Sequence, residues 1–221
     1  MFFLKNLLIH RVAASVDAKF INGLQIDCLI DVGANVGQFS TLCYYYNKTI
    51  LIIAFEPISS CYKKLKEVLP SNKNIKLFNC ALGNRCGHES IHISNKIDSS
   101  SILSFKEQSN IYPNTESIMK EKIKIDKLDN YVKYLNKENI LLKIDVQGYE
   151  KNVLAGANNA LKLVKYIYIE LSFIDLYANQ AHFSEICSIL YKKNFYLASI
   201  ENLHRKNGQL IQGDFLFQKK S

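Results

Sequence analysis

The stretch Leu-Ile-Asp-Val-Gly-Ala-Asn-Val-Gly-Gln-Phe-Ser at residues 29–40 constrains this chain more than any other. An apolar run ends in Asp31-Val32, and Gly33 and Gly37 bracket a bend with no room for Cβ atoms. Glycine permits positive φ and close backbone approach to a ligand, and Asn35 tolerates the left-handed region better than most residues. Beyond the bend, Phe39, Leu42, Cys43 and Tyr46 recur at helical spacing. Residues 28–32 therefore read as a buried strand and residues 38–46 as a helix. A junction of this kind turns free backbone N–H groups toward a ligand at the carboxyl end of a sheet. The alternative is an ordinary strand-to-helix turn whose glycines serve packing alone.

Two nucleotide-type ligands fit such a turn. The dinucleotide fingerprint Gly-x-Gly-x-x-Gly would fall on Gly33, Asn35 and Gln38, and two of the three positions fail. A nicotinamide or flavin dehydrogenase is therefore disfavoured. The pattern present is Asp-x-Gly-x-Asn-x-Gly, which resembles motif I of class I S-adenosylmethionine-dependent methyltransferases. An acid at the strand end suits a cofactor that carries an amino group and a sulfonium and has no pyrophosphate.

Downstream, strands and helices alternate, which predicts an α/β fold on a mostly parallel sheet. Residues 49–55 are a continuous apolar strand ending in Glu56-Pro57. Ser59 is placed to cap the next helix, and Pro70 to stop it. Residues 75–82 read as a third strand, 88–94 as an added one, and 95–115 as a long polar loop of the lid or binding-loop kind. A short strand at 123–125 and a helix at 126–135 follow. Residues 140–146 are the fourth main strand, and Val153, Leu154, Ala157 and Leu161 mark one helix after it. Residues 166–171, 183–193, 195–200 and 215–219 complete the pattern as strand, helix, strand and strand. The polar segment 201–208 joins the last two strands as an antiparallel hairpin.

At 221 residues a single domain is expected. Residues 1–22 read as an amphipathic helix, with Leu4, Leu7, Leu8, Val12 and Val16 on one side, and residues 23–221 as the domain itself. The formal charge of +8 comes from scattered lysines with no basic block, so a nucleic-acid partner is not indicated. None of the six cysteines is in a C-x-x-C pair, so buried free thiols are expected, with no disulfide and no metal site. No run approaches a membrane span, and no signal peptide is expected. The expectation is a cytoplasmic protein, membrane-peripheral only where the N-terminal helix docks on a surface. Oligomeric state is left open.

Four acids end four apolar strands: Asp31, Glu56, Asp145 and Glu170. Acids at the carboxyl ends of neighbouring parallel strands converge on one crevice, and a charge there needs a ligand or a basic partner. Glu56, about 20 residues past the glycine turn, suits the hydroxyls of a ribose. Its alternative is a carboxylate that favours the dipole of the following helix. Lys143, inside the fourth strand, reads as a structural ion-pair partner.

Taken together, Asp31 to Gly37, Phe55-Glu56-Pro57, Ala81-Leu82-Gly83, Ser99-Ser100-Ser101, Lys143-Ile144-Asp145-Val146-Gln147-Gly148-Tyr149-Glu150, Val153-Leu154-x-Gly156-Ala157 and Glu170 resemble the FkbM family of S-adenosylmethionine-dependent methyltransferases. The likeness runs over residues 28–219. It implies a Rossmann-like class I methyltransferase fold, with a mostly parallel seven-stranded sheet, a C-terminal antiparallel hairpin and helices on both faces. It also implies methyl transfer to an oxygen, often a hydroxyl of a sugar, a glycan or a secondary metabolite. By the same likeness Asp31, Gly33 and Gly37 hold the methionine part of S-adenosyl-L-methionine, Glu56 holds the ribose, and Asn79, Ala81 and Leu82 line the adenine. Asn35, Pro57 and Asp145 complete the candidate cofactor set. The family usually has Glu where this chain has Gln147, which weakens any role for a charge at that position.

Methyl transfer to an alcohol needs alignment and a proton acceptor. The candidates are Asp145, Glu150, Glu170 and His182, with Asp145 first because it ends a central strand. Orienting the acceptor and holding a divalent ion are the other roles open to it. A methyltransferase fold kept as a non-catalytic binding or accessory protein is the competing reading.

Overall fold

The computed structural model describes residues 23–220, so the expected N-terminal helix lies outside the described residues. Strand β1 (Cys28–Val32) is buried along its whole length, between β2 (Leu51–Phe55) on one side and β7 (Ile140–Ile144) on the other. All three are short apolar runs, the composition of strands covered on both faces. With β3 (Ile75–Phe78), β8 (Tyr166–Ser172), β9 (Phe195–Lys206) and β10 (Gln209–Lys219) they make a seven-stranded sheet in the order β3-β2-β1-β7-β8-β10-β9. The first five are parallel and the last two form an antiparallel hairpin.

Alternate residues of each strand feed two cores. Leu29, Ile52, Ala54 and Leu141 pack under helices α1 (Gln38–Tyr46) and α2 (Ser59–Val68), through Phe39, Leu42, Leu65 and Val68. Ile30, Phe55, Leu142, Ile144 and Ile167 pack on the opposite face, under a 3-10 helix at Leu128–Tyr134 and part of the later chain. Helices therefore cover both faces, as expected. The chain leaves β1 toward β2 and β3, and β7 and β8 extend the sheet the other way, so the order reverses between β1 and β7. A ligand crevice belongs at the carboxyl ends of that pair, where the connections diverge to opposite sides.

Five expectations are corrected. The strand expected over residues 75–82 is two: Asn79 turns the chain by donating to the carbonyls of Glu56 and Pro57, and β4 (Ala81–Leu82) leaves the main sheet. It joins a three-stranded sheet with β5 (Gly87–Ser94) and β6 (Ser117–Asp126), and β6 is far longer than its apolar end at 123–125. The helix after Tyr149 breaks into α4 (Glu150–Ala155) and α5 (Ala160–Leu163), since the helix ends at Gly156, where a Cβ would sit 1.9 Å from the Gly83 carbonyl oxygen. The segment 201–208 is strand to Lys206, turned by Asn207-Gly208 with φ of 52° and 81°; Asn-Gly is the strongest short hairpin signal. Ser59 does not cap α2: its hydroxyl donates to Glu121.

Within residues 95–115 the chain is ordered against the rim of the sheet, with a 3-10 turn at Ile97–Ser99 and a short helix α3 (Gln108–Ile111). A last helix, α6 (Phe183–Lys192), buries Ile186, Cys187 and Leu190 in the second core. None of the six cysteines is in a disulfide, and only Cys86 is exposed. No described helix is long and apolar enough to cross a membrane.

Candidate functional site

At the end of β1 the chain bends through Gly33 at φ +75° and Asn35 at φ +50°. The backbone N–H groups of Gly33 and Ala34 both donate to the Phe55 carbonyl, which locks the bend to β2. A Cβ on Gly33 would lie 1.9 Å from the Asp145 carbonyl oxygen, so β1 and β7 approach here closely enough to exclude any side chain. Gly37 answers a different need: its missing Cβ makes room for Leu65 and Val68 of α2.

A cleft opens above this bend. Its walls include Gly33, Asn35, Glu56, Pro57, Ala81, Leu82, Asp145 and Gln147, with Ile58, Ile91 and Ile102 giving an apolar side. Glu56 is 4% exposed. One carboxyl oxygen accepts from the Asn35 backbone N–H at 2.8 Å, and the other from the Ile58 N–H at 2.7 Å. Burial pushes its pKa up to about 7, against the pull of those two N–H groups. Asn35 keeps its side-chain oxygen buried with no partner.

Asp31 is fully buried beneath the bend. It accepts from the Ser40 hydroxyl at 2.6 Å and stands 3.4 Å from the Lys143 ammonium, which donates to the Gly33 carbonyl at 2.8 Å and lies 3.5 Å from Asp145. Burial would lower the Lys143 pKa, but the carboxylates of Asp145 and Asp31 more than reverse this and hold it raised. Lys143 is thus the ion-pair partner expected from the sequence, serving two acids at once.

Asp145 is partly exposed at the end of β7, in a turn where Gln147 and Gly148 adopt φ of 52° and 94°. The Gln147 amide nitrogen donates at 2.8 Å to Asp145 and at 2.8 Å to Glu170, joining two carboxyl groups from neighbouring strands. Its amide oxygen accepts from the Tyr177 hydroxyl, and its backbone carbonyl from the Ser101 hydroxyl. Glu170 also accepts from Gln212 at 2.9 Å. Burial first, then the charges of Asp145, Asp214 and Glu150, raise its pKa well above the ordinary carboxyl value. Asp145, Gln147 and Glu170 line a second cavity behind the cleft.

The fold thus brings Gly33, Asn35, Glu56, Pro57, Ala81, Leu82 and Asp145 to the cleft, and Asp145 and Glu170 to the cavity behind it. Asp31 and Gly37 support the bend from below. Asn79 staples the end of β2 and lines neither space. Glu150 is buried, accepts the Gly148 N–H at 2.9 Å, has its pKa pushed up by burial to about 7, and lines neither space. His182 precedes α6 and pairs with Asp175 at 2.5 Å, away from both spaces. The bridging amide of Gln147 was not legible in the sequence, because its partners are 2 and 23 residues away on different strands.

An acid-lipped cleft over a glycine bend can take an adenosyl group, with Glu56 for a ribose and an apolar wall for a base. The orphaned Asn35 oxygen offers a polar ligand an acceptor there. A partly exposed carboxylate beside it can accept a proton.

Comparison with known proteins agrees in kind. Residues 31–197 match the family described as the methyltransferase FkbM domain. The curated 2-O-methyltransferase NoeI of Sinorhizobium fredii is 26% identical over 193 residues, 84% of this chain and 77% of that protein. The structure of methyltransferase FkbM from Methylobacillus flagellatus KT superposes with a TM-score of 0.53 at 15% identity, over 87% of this chain. This chain spans only 45% of that structure's length. Magnesium protoporphyrin IX methyltransferase (ChlM) from Synechocystis PCC 6803, with bound SAM, superposes at 0.50 and 11% identity, over 92% of this chain and 76% of that one.

Proposed function

The chain belongs to the FkbM methyltransferase family, and on that premise we propose that it moves the methyl group of S-adenosyl-L-methionine to a hydroxyl oxygen of a sugar, a glycan or a secondary metabolite. The observation that carries the reading is Glu56, a nearly buried carboxyl at the lip of a cleft with one apolar side, beside the glycine bend. A carboxyl in such a setting is costly without hydrogen-bond donors, and the hydroxyls of a ribose are donors of the right kind. The similar ChlM structure has SAM bound, and NoeI is by name a 2-O-methyltransferase.

When bound, the cofactor supplies an electrophilic methyl carbon on a sulfonium. The chain's own residues do the rest. Glu56 receives the ribose and Pro57, Ala81 and Leu82 flank the base. Gly33 and Asn35 line the end of the cleft nearest Asp145, where the methionine part belongs, and Asp31 acts from below by fixing Lys143. Asp145 accepts the hydroxyl proton as the new O–C bond forms. Its carboxylate is held in place by Gln147 and Lys143. Glu170, on the other side of the Gln147 amide, is the neighbouring proton acceptor.

Calorimetry with S-adenosylhomocysteine tests the cofactor site. Ribose hydroxyls bond to the charged form of Glu56, so binding expels the proton that the free protein holds below about pH 7. Affinity should rise roughly tenfold per pH unit up to that point and level off above it. Lys143, the cation acting on Glu56, keeps its charge across that window. Glu56→Gln should bind about 10- to 100-fold more weakly and lose the slope. No binding to the wild-type protein at millimolar ligand would overturn the reading.

Asp145→Asn tests the proton acceptor. Transfer should fall about 10²- to 10⁴-fold, the range for a lost general base, while S-adenosylhomocysteine still binds within a few-fold of wild type. An Asp145→Asn protein with full turnover would remove this residue from the chemistry.

A further inference from the structure

The cavity behind the cleft is a half-open pocket of about 320 Å³, at the small end of ligand pockets, which run from roughly 300 to 1,000 Å³. It shares Asp98, Asp145 and Gln147 with the cleft, so the two spaces meet at the proton acceptor proposed above. Helix α3 forms one wall and places Gln108 there. That side chain is 3% exposed, and its amide oxygen is buried with no hydrogen-bond partner. A buried acceptor left unpaired is costly, and a ligand O–H or N–H would satisfy it. The other polar groups repeat the bias. Asp98, Asp145 and Glu170 present carboxyl oxygens, and the two N–H donors of Gln147 and one of Gln212 are already spent on Asp145 and Glu170. Lys96, exposed at the rim, is the one cationic side chain among the described lining residues.

We propose that this cavity is the acceptor subsite, and that it takes one uncharged ring rich in hydroxyl donors, such as a neutral monosaccharide unit, while rejecting phosphorylated and carboxylated rings. The inference rests on the methyltransferase reading above and adds the acceptor's class. A carboxylate or phosphate brings only acceptor oxygens to a wall whose Gln108, Asp98, Asp145 and Glu170 oxygens are themselves acceptors, and the Asp98 carboxylate adds repulsion at the rim. A small ring can lie with one hydroxyl toward Asp145 and others on Gln108 and Glu170. The methylated hydroxyl is then a ring hydroxyl, not one on a long chain.

Saturation-transfer NMR on the full chain, with and without S-adenosylhomocysteine, tests this with a neutral hexose, a 6-deoxyhexose, a hexosamine, a hexose 6-phosphate and a hexuronic acid. The neutral sugars should give signal and the two anionic ones should give at least tenfold less. Gln108→Leu should weaken the neutral sugars about tenfold while leaving S-adenosylhomocysteine binding and thermal unfolding in place. Glu170→Gln should narrow the gap between the neutral sugar and the hexuronic acid, a change that loss of packing alone would not give. Equal or stronger binding of the anionic rings, binding only of the hexosamine, or neutral sugars indifferent to Gln108→Leu would each overturn the proposal. So would no sugar signal in a protein that binds S-adenosylhomocysteine. A protein that binds neither ligand overturns the methyltransferase reading as well.

Discussion

Gly33→Ala should lower the melting temperature by roughly 5–15 °C and reduce S-adenosylhomocysteine affinity by more than tenfold. The added Cβ would stand 1.9 Å from the Asp145 carbonyl oxygen, with the Asp145 carbonyl carbon 3.0 Å away. Backbone cannot swing aside as a side-chain end can, so β1 and β7 must separate where both their cores are sealed. Overpacking of this kind costs about 1–3 kcal/mol, and a non-glycine residue at φ +75° adds about 1–2 kcal/mol. For a domain of this size each kcal/mol is roughly 2–4 °C. The affinity loss follows because Asn35 and Asp145 flank the same contact. Gly208→Ala supplies the control. It has nearly the same φ, +81°, but nothing within 4 Å of the new Cβ, so it should cost about 1 kcal/mol and leave the cofactor site alone. Gly37→Ala should fall between them, because it meets the ends of Leu65 and Val68 at 2.8 and 3.0 Å. Thermal melts and calorimetry on the three variants check the series. A Gly33→Ala protein that melts with Gly208→Ala would mean that the two strands do not approach as described.

That series also shows what the sequence made visible. Gly33 and Gly37 look alike in the motif, yet one clears a carbonyl of the neighbouring strand and the other clears a helix. The need for a missing Cβ is local and legible; what fills the space is tertiary. The main strands were legible for the same reason that they are buried: β1, β2, β7 and β8 are short apolar runs with no competing period. The second sheet was not. The first half of β6 is largely Ser, Lys and Glu with exposed Ile118 and Met119, and only its pairing with β5 makes it a strand. Its apolar end alone carried a signal. The hairpin over 201–208 is legible in the sequence, but the length of its strands is not, because charged and polar residues run on through β9 to Lys206.

At the site, position along the chain was a sound guide for acids that end strands and a poor one for residues in connections. Glu56, Asp145 and Glu170 lie where the parallel register puts them. His182 is 10 residues past the end of β8, and the connection carries it to Asp175 on the outside. Gln108 sits in a polar loop with no pattern, and only the closure of that loop against Leu176 brings it over the rim. Gln147 stood out as a departure from the family's usual Glu. In the fold its amide separates two carboxyl groups that a third carboxyl would crowd further.

Lys143→Met should cost about 3–5 kcal/mol near neutral pH, the penalty for leaving a buried charge without its partner. Asp31 has no exposed surface, and without the ammonium its Oδ1 has no partner within reach. The Gly33 carbonyl would lose its 2.8 Å donor at the same time, so the bend should loosen and cofactor affinity should fall with stability. The sign of the pH dependence separates this account from simple loss of packing. Lys143 is also the cation that pulls down the burial-raised pKa values of Glu56 and Glu170, and without it both rise further. The folded form then keeps those protons to higher pH than the unfolded chain does, and stability falls further as pH rises. The gap between variant and wild type should therefore be wider at about pH 8 than at about pH 5. Taking the difference matters because Glu56, Glu150 and Glu170 already destabilise the wild-type protein in that direction. Adding Asp31→Asn to Lys143→Met removes the stranded charge and should recover about 2 kcal/mol or more, since a buried ion pair is replaced more easily than halved. Urea titrations of the two single variants and the double at pH 5 and pH 8 give the whole cycle. A constant gap across pH, or a double variant no better than Lys143→Met, would show that Lys143 supports the bend through its stem and not its charge.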